Sequence, residues 1–221
     1  MYVVVLSASP RKDGNSRLLG EAVVDGARSA GHAAALFDLE DHATGFVRDC
    51  RRCRRPDGEC AIEDGYRRLL FDHVLAADAL VYATPIYWYG MAARLKNWID
   101  RLVCYVSASH PRAEEVVARL RGTRVALLLV SEEHRPGVAL PVVAQVQEIA
   151  RYLHQPFVGV VHGIGNTRGE VAADPADPVG AARALGARIA DLHHSDYRID
   201  TPRPGSVWSP DPGPVGSYAD P

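Results

Sequence analysis

The sequence predicts an α/β fold in which helices cover both faces of a parallel β-sheet. Short apolar runs rich in β-favouring residues alternate along the chain with longer segments whose apolar residues recur at helical spacing. The first run, residues 2–6, is apolar throughout, which is typical of a strand buried on both faces of a parallel sheet. The segments between the runs are also long enough for the crossover connections that parallel strands require.

The chain has 221 residues, 47% of them hydrophobic, and suits one domain with a sizeable core. The five predicted strands are residues 2–6, 33–38, 79–84, 124–130 and 157–161. The predicted helices are a first one from Leu18 to its end at Gly31, then residues 66–77, 91–103, 138–153 and 178–192. This alternation favours the strand order 2-1-3-4-5 of a flavodoxin-like three-layer sandwich. We expect this domain over residues 1–194, followed by a Pro/Gly-rich tail over residues 195–221.

The loop after the first strand, residues 7–17, is rich in groups that bind anions. It opens a helix, so its backbone N–H groups and the positive helix end point to one place. The candidate phosphate ligands are Ser9, Arg11, Asn15 and Ser16, and Arg17 at the end of the loop is a further candidate cofactor-binding residue. Two other nucleotide-binding motifs do not fit this loop. The P-loop, G-x-x-x-x-G-K-[ST], and the three-glycine Rossmann fingerprint are both excluded, because Gly14 is the only glycine in the loop and Asn15 follows it. The remaining alternative is an ordinary loop whose serine caps the helix.

The segment after the third strand contains three consecutive aromatic residues. It comprises Pro85, Ile86, Tyr87, Trp88, Tyr89 and Gly90, and we interpret it as a loop. In the predicted topology this loop and residues 7–17 meet where the strand order reverses, which is where such folds bind ligands. The aromatic side chains suit stacking against a flavin ring. The alternative is a buried aromatic anchor combined with a dimer contact.

Residues 85–101, PIYWYG…LKNWIDR, resemble the P-x-Y-[WF]…LK-x-[WF]-x-DR segment of the NAD(P)H-dependent FMN reductases and the multimeric flavodoxin-like family, which includes iron–sulfur flavoproteins. The resemblance implies an FMN cofactor with NADPH or NADH as co-substrate. It implies that Ser9, Arg11, Asn15 and Ser16 hold the phosphate and that residues 85–90 line the isoalloxazine. Ser131 would begin a third cofactor loop, although an acidic pair replaces the expected glycines there. Lys96, Asp100 and Arg101 match the helix signature, or are surface charges with a Lys–Asp pair.

The polar excursion over residues 40–63 contains a cysteine motif. Cys50, Cys53 and Cys60 resemble the cluster region of iron–sulfur flavoproteins, but Pro56 stands at the expected third ligand position. Cys104 is distant in sequence, so we expect reduced thiols and no metal site. The arginines of this loop form a solvated face or bind a second anion such as the 2′-phosphate of NADPH; they are Arg48, Arg51, Arg52, Arg54 and Arg55.

Other features narrow the class of protein. The net charge of −2 disfavours nucleic-acid binding. No apolar run is long enough to span a membrane and no signal peptide is evident, so we expect a cytoplasmic protein. Gly163 and Gly165 match only the first two glycines of a dinucleotide-binding motif. His193 and His194 have no acidic residue or cysteine at the spacing of metal ligands.

The sequence therefore predicts an FMN-dependent NAD(P)H oxidoreductase. Hydride passes from nicotinamide to FMN and then to a small acceptor: a quinone, a flavin, a nitro or azo aromatic, or a biosynthetic intermediate. No side chain is singled out as catalytic, because the flavin carries the chemistry. The alternatives are a flavodoxin-type electron carrier and a binding module without redox chemistry. We also expect a homodimer.

Overall fold

A computed structural model describes residues 1–49 and 54–192. These residues contain six strands: β1 (Tyr2–Ser7), β2 (Ala33–Asp38), β3 (Ala79–Tyr87), β4 (Gly90–Met91), β5 (Arg124–Ser131) and β6 (Phe157–Ile164). The α-helices are α1 (Asn15–Ser29), α2 (Leu39–His42), α3 (Tyr66–Asp72), α4 (Ala93–Val106), α5 (Ala113–Leu120), α6 (Pro136–Tyr152) and α7 (Pro178–Arg188). Two 3₁₀ turns lie at Val74–Ala76 and Glu170–Ala173. Predictions for Cys50, Arg51, Arg52, Cys53, His193, His194 and the tail fall outside the described residues.

The sheet has the predicted order, β2-β1-β3-β5-β6, and these five strands are parallel. The additional strand, β4, pairs antiparallel with the end of β3. The reversal of strand order lies between β1 and β3, so the carboxyl ends of these strands flank a natural ligand crevice. The fold prediction is confirmed.

Alternating side chains of the strands build two cores, because successive residues of a strand point to opposite faces. Val3 and Val5 of β1 pack with α1 and α7 on one face of the sheet. Val4 and Leu6 pack on the other face, in a core that also includes residues of α3, α4, α5 and α6. The result is the expected three-layer arrangement.

Besides shifts of a few residues at the ends of several elements, three differences from the prediction stand out. The predicted helix 66–77 is interrupted at His73, where φ is −127°, and continues as a 3₁₀ turn. Helix α5 was not predicted, because only three of its eight residues are buried and its apolar stripe is short. Strand β3 extends three residues beyond Thr84, so the predicted aromatic loop is wrong in this respect. Within the described ranges, no helix combines the length and apolarity needed to cross a bilayer.

Candidate functional site

The carboxyl ends of β1, β3, β5 and β6 surround one cleft. The lining residues are Ser9, Arg11, Gly14, Asn15, Ser16, Pro85, Ile86, Tyr87, Val130, Ser131, Glu132, Gly165 and Asn166. The two predicted ligand-binding segments, residues 7–17 and 85–90, therefore face the same cleft. Ser131, the start of the predicted third cofactor loop, lines it as well. A second cleft adjoins it and shares Ile86, Ser131 and Glu132 with the first.

Helix α1 begins at this cleft, and no side chain of the described residues caps its start. Its N-cap residue is Gly14, so the alternative of a serine-capped helix is not found. The hydroxyl of Ser9 instead donates to the Arg11 carbonyl at 2.8 Å and accepts from the Arg11 N–H at 3.1 Å, which closes the turn before the helix. A Cβ on Gly14 would lie 2.3 Å from Ser9 Oγ, so this close turn requires glycine. The N–H groups of the first helical turn are left to the cleft.

Ser16 lies in the first turn of α1 and is 2% exposed. Among the described residues, its buried hydroxyl has no hydrogen-bond partner. Arg11 is exposed at the same wall and adds a positive charge. Arg17 does not line the cleft: its guanidinium Nε lies 3.0 Å from Asp38 Oδ1, and it also pairs with Glu21. Arg17 was predicted to bind the cofactor, and its position away from the cleft corrects that prediction.

Asn15 connects the loop to the segment after β6. Its amide donates to Thr167 O at 2.8 Å, and its Oδ1 lies 3.5 Å from Val171 N. Gly165 and Asn166 thereby join the cleft wall. Neither was predicted as a site residue: Gly165 was considered only as part of an incomplete dinucleotide motif, and Asn166 was not considered. Their position after a fifth parallel strand was the available signal.

The aromatic segment forms a β-hairpin rather than a loop. Tyr87 of β3 pairs with Gly90 of β4, and Trp88 and Tyr89 form the turn between them. Both turn residues have positive φ, 49° and 61°, a backbone conformation that residues other than glycine rarely adopt. Ile86 and Tyr87 face the first cleft, whereas Trp88 and Tyr89 line the second. Gly90 is half-buried in β4, and Trp88 is 97% exposed.

The third segment, residues 131–135, contacts this hairpin. Tyr89 Oη donates to Glu133 Oε1 at 2.8 Å. Arg135 pairs with the same carboxylate, and hydrogen bonds from Arg135 and then Tyr89 hold the pKa of Glu133 below its ordinary value. The hydrogen bond to Glu133 raises the pKa of Tyr89. The segment therefore belongs to the site despite its lack of glycines.

The helix signature on α4 has a structural role. Lys96 and Asp100 form the expected i,i+4 pair. Arg101 is not a surface charge: it is 1% exposed, its Nη2 donates to Asp64 Oδ1 at 2.9 Å, and it lies over the ring of Tyr66. Burial opposes ionisation of Asp64, but the hydrogen bonds from Arg101 and from backbone N–H groups outweigh it and lower the carboxyl pKa.

Cys104 lies against Cys60, although the sequence analysis considered it too distant to act with the cysteine motif. Both side chains are buried, and within the described residues no disulfide bond links them. The hydrogen bond with Cys104, helped by Ile62 N–H and Arg101, lowers the pKa of the Cys60 thiol from 9.0 to about 5 against the effect of burial.

Two residues of the predicted anion-binding arginine group have other partners. Arg54 donates to the backbone of Gly58 and Cys104, and Arg55 pairs with Glu63. Over residues 1–49 and 54–192, no three His, Cys, Asp or Glu side chains gather as metal ligands.

Comparisons with known proteins agree with this architecture. The chain is 27% identical over 185 residues to YwqN of Bacillus subtilis, which is provisionally named as an NAD(P)H-dependent FMN-containing oxidoreductase; the match covers 84% of this chain and 97% of that one. It is 26% identical over 207 residues to an iron–sulfur flavoprotein of Archaeoglobus fulgidus, covering 90% and 84%.

Solved structures share the fold. The Trp repressor binding protein of Bacillus subtilis superposes with a TM-score of 0.62 at 24% identity, over 84% of this chain and 96% of that one. An NAD(P)H:quinone oxidoreductase of Methanothermobacter marburgensis superposes with a TM-score of 0.61 at 21% identity, over 88% and 99%. Residues 1–164 match the sequence family described as NADPH-dependent FMN reductase. The chain therefore belongs to the NADPH-dependent FMN reductase family, as its loop and helix motifs predicted.

Proposed function

We propose that FMN binds in the cleft with its phosphate at the start of α1, and that its ring system lies between the β3–β4 hairpin and residues 131–135. Membership of the family makes the chain an FMN-containing oxidoreductase that uses NAD(P)H. The observation that carries the proposed site is Ser16, whose buried hydroxyl has no partner in the described structure. A buried polar group without a partner is costly, so a ligand that supplies one is expected to bind there.

The donors around Ser16 fit a phosphate. The uncapped N-terminus of α1 offers N–H groups and a partial positive charge, and Arg11 adds a guanidinium. Ser9 does not donate to the ligand, because its proton goes to the Arg11 carbonyl. It shapes the turn that exposes the helix N-terminus.

The chain's residues bind and orient the cofactor, while the flavin itself supplies the redox chemistry by which hydride from the nicotinamide reaches a small acceptor. Ile86 and Tyr87 offer apolar and aromatic surface at one wall of the cleft. The second cleft beside Trp88 and Tyr89 offers space next to that wall, where a nicotinamide or an acceptor can lie against aromatic rings. The acceptor classes proposed are quinones, flavins, nitro or azo aromatics and biosynthetic intermediates.

Binding of FMN and of riboflavin to the Ser16→Ala variant tests the phosphate site. We expect the variant to bind FMN about tenfold more weakly than the wild type, since it loses one hydrogen bond to a charged group. Riboflavin lacks the phosphate, so its affinity should not change. Ser29→Ala, at the other end of α1, is the matched control because its hydroxyl bonds to Gly26 O. Equal weakening for both ligands would contradict the assignment.

Anaerobic mixing of the FMN-loaded protein with NADPH or NADH tests turnover. We expect rapid loss of the oxidised flavin absorption with at least one of them, and its return when an acceptor is added. A flavodoxin-type carrier would keep its colour with both nucleotides.

A homodimer is also part of the proposal. The nearly fully exposed Trp88 on a strained turn supports it, because a partner subunit would cover this aromatic surface. Light scattering should give twice the chain mass for the wild type and a smaller mass for Trp88→Ala. A monomeric wild type would contradict it. A cytoplasmic location, where NAD(P)H is available, remains a prediction.

A further inference from the structure

A serine–histidine pair lies at the wall that β5 contributes to the cleft, with the serine facing the cleft. Ser131, the last residue of β5, lines the cleft and is 5% exposed. Its Oγ lies 2.7 Å from Nε2 of His162 on the neighbouring strand β6. The same Oγ donates to the Glu133 carbonyl at 2.9 Å. His162 is half-buried and was not singled out by the sequence analysis.

The proton count determines the direction of these bonds. A serine hydroxyl carries one proton and two lone pairs. Because the Glu133 carbonyl takes the proton, Nε2 of His162 donates to Ser131 Oγ. Burial lowers the pKa of His162, with Asp174 acting in the opposite direction, and so favours the neutral ring. One lone pair of Ser131 Oγ then remains for the cleft.

We propose that His162 is a positioning residue that holds Ser131 as a hydrogen-bond acceptor, with which the cleft recognises an N–H or O–H donor of its ligand. The inference rests on the proposed function, in which that ligand is FMN. FMN carries two kinds of donor, the N3–H of its ring system and the hydroxyls of its ribityl chain. Ser131 thus differs from Ser16, whose hydroxyl is available to donate to phosphate oxygens.

The same pair supports the aromatic hairpin. Ser131 holds the backbone of Glu133, and the Glu133 carboxylate accepts a hydrogen bond from Tyr89. A continuous hydrogen-bonded path therefore leads from β6 to the turn of the hairpin. Loss of the His162 donor should therefore first change the position of the Ser131 hydroxyl, the acceptor in the cleft. The position of Tyr89 should change as a consequence, through Glu133.

A double-mutant cycle on FMN binding tests this inference. We expect Ser131→Ala and His162→Leu each to weaken FMN binding about tenfold. The double variant should be no weaker than either single variant, because both changes remove one interaction. His162→Gln keeps an N–H donor and should bind FMN nearly as the wild type does. Additive losses, or no loss in His162→Leu, would overturn the inference.

A second pair of variants keeps the test valid if His162→Leu misfolds. If His162→Leu does not fold, His162→Gln is compared with His162→Glu, which has the same shape but cannot donate when ionised. Only the glutamate variant should lose affinity. Equal FMN affinity of the two variants would overturn the inference.

An FMN analogue methylated at N3 identifies the donor. If Ser131 accepts from N3–H, Ser131→Ala should leave affinity for the analogue unchanged; if it accepts from a ribityl hydroxyl, both ligands should weaken alike. Either result supports an acceptor role. Ser131→Ala with wild-type affinity for both ligands overturns it. Absence of FMN binding by the wild type would overturn the proposed function as well, whereas normal wild-type binding with unaffected variants overturns this inference alone.

Discussion

Tyr89 Oη donates a 2.8 Å hydrogen bond to Glu133 Oε1 and thereby joins the turn of the β3–β4 hairpin to the segment that follows β5. The two residues are 44 positions apart in sequence and both line the second cleft. This bond holds one wall of the proposed flavin site against the other.

Replacing Tyr89 by phenylalanine should therefore affect the flavin more than the fold. We expect Tyr89→Phe to slow reduction of bound FMN by NADPH a few-fold, since the hairpin is no longer held by Glu133. The thermal midpoint should stay unchanged, because the bond is exposed to solvent. Tyr152→Phe, on an exposed position at the far end of α6, is the control. Stopped-flow absorbance measures the rate, and a rate equal to that of the wild type would contradict the prediction.

The buried Arg101–Asp64 pair predicts a large loss of stability. Asp64→Asn should lower the free energy of unfolding at pH 7 by about 3–5 kcal/mol, because it leaves the Arg101 charge buried without a counter-charge. Denaturant unfolding measures the change. Asp41→Asn is the matched control, since Asp41 pairs with Lys12 on the surface. A similar stability for both variants would show that the buried pair contributes little.

The same pair predicts a pH dependence. The pKa of Asp64 is lowered in the folded chain, so its contribution to stability is complete above its ordinary pKa of 3.8 and is lost as pH falls through the lower, folded value. The wild type should therefore lose stability at a steeper slope below about pH 4 than Asp64→Asn does. Parallel slopes for the two proteins in this range would contradict a lowered pKa of Asp64 in the folded chain.

Local patterns account for the part of this molecule that was predicted from sequence. The apolar run at residues 2–6 and the serine-rich loop after it lie side by side in the chain, so strand, loop and helix start could be placed directly. The strand order followed from the alternation of elements. The proximity of the 7–17 loop to residues 85–87 then followed from this order, because the two segments continue the adjacent strands β1 and β3 at the same edge of the sheet.

Contacts between distant residues account for what was missed. Nothing near Arg101 in sequence indicates Asp64, and Cys60 and Cys104 meet only because α4 packs beside the excursion. His162 reaches Ser131 because β6 pairs with β5 in a particular register. The hairpin was missed, and residues 85–90 carry no turn signal for it, since Trp88 and Tyr89 are unfavourable residues for a turn with positive φ.

The close turn at Gly14 predicts a second flavin phenotype. In Gly14→Ala the new Cβ would lie 2.3 Å from Ser9 Oγ and 3.0 Å from the Arg11 carbonyl oxygen, so the Ser9 side chain that closes the turn, or the turn itself, must shift. We expect FMN binding to weaken tenfold or more, and stability to fall by about 1–3 kcal/mol. Adding Ser9→Ala removes the clashing hydroxyl and should restore part of the stability. Gly137→Ala is the stability control, because a Cβ at this position would meet no atom within 4 Å outside its chain neighbours and its own helix backbone. Wild-type FMN affinity in Gly14→Ala would contradict the phosphate assignment.

The strained turn of the hairpin predicts that stability and function change in opposite directions. Trp88→Asn with Tyr89→Gly introduces the residue pair that hairpin turns with two positive φ values prefer. We expect the free energy of unfolding to rise by about 1 kcal/mol or more, because left-handed backbone costs roughly that much per ordinary residue. Reduction of bound FMN by NADPH should become slower, since the aromatic wall and the bond to Glu133 are both lost. His154→Gly, another position with positive φ but at the end of α6 remote from the cleft, should raise stability without slowing the reaction. If the hairpin variant is more stable and equally fast, the rings at positions 88 and 89 do not serve the flavin chemistry, and another role, such as the subunit contact, must account for the strain.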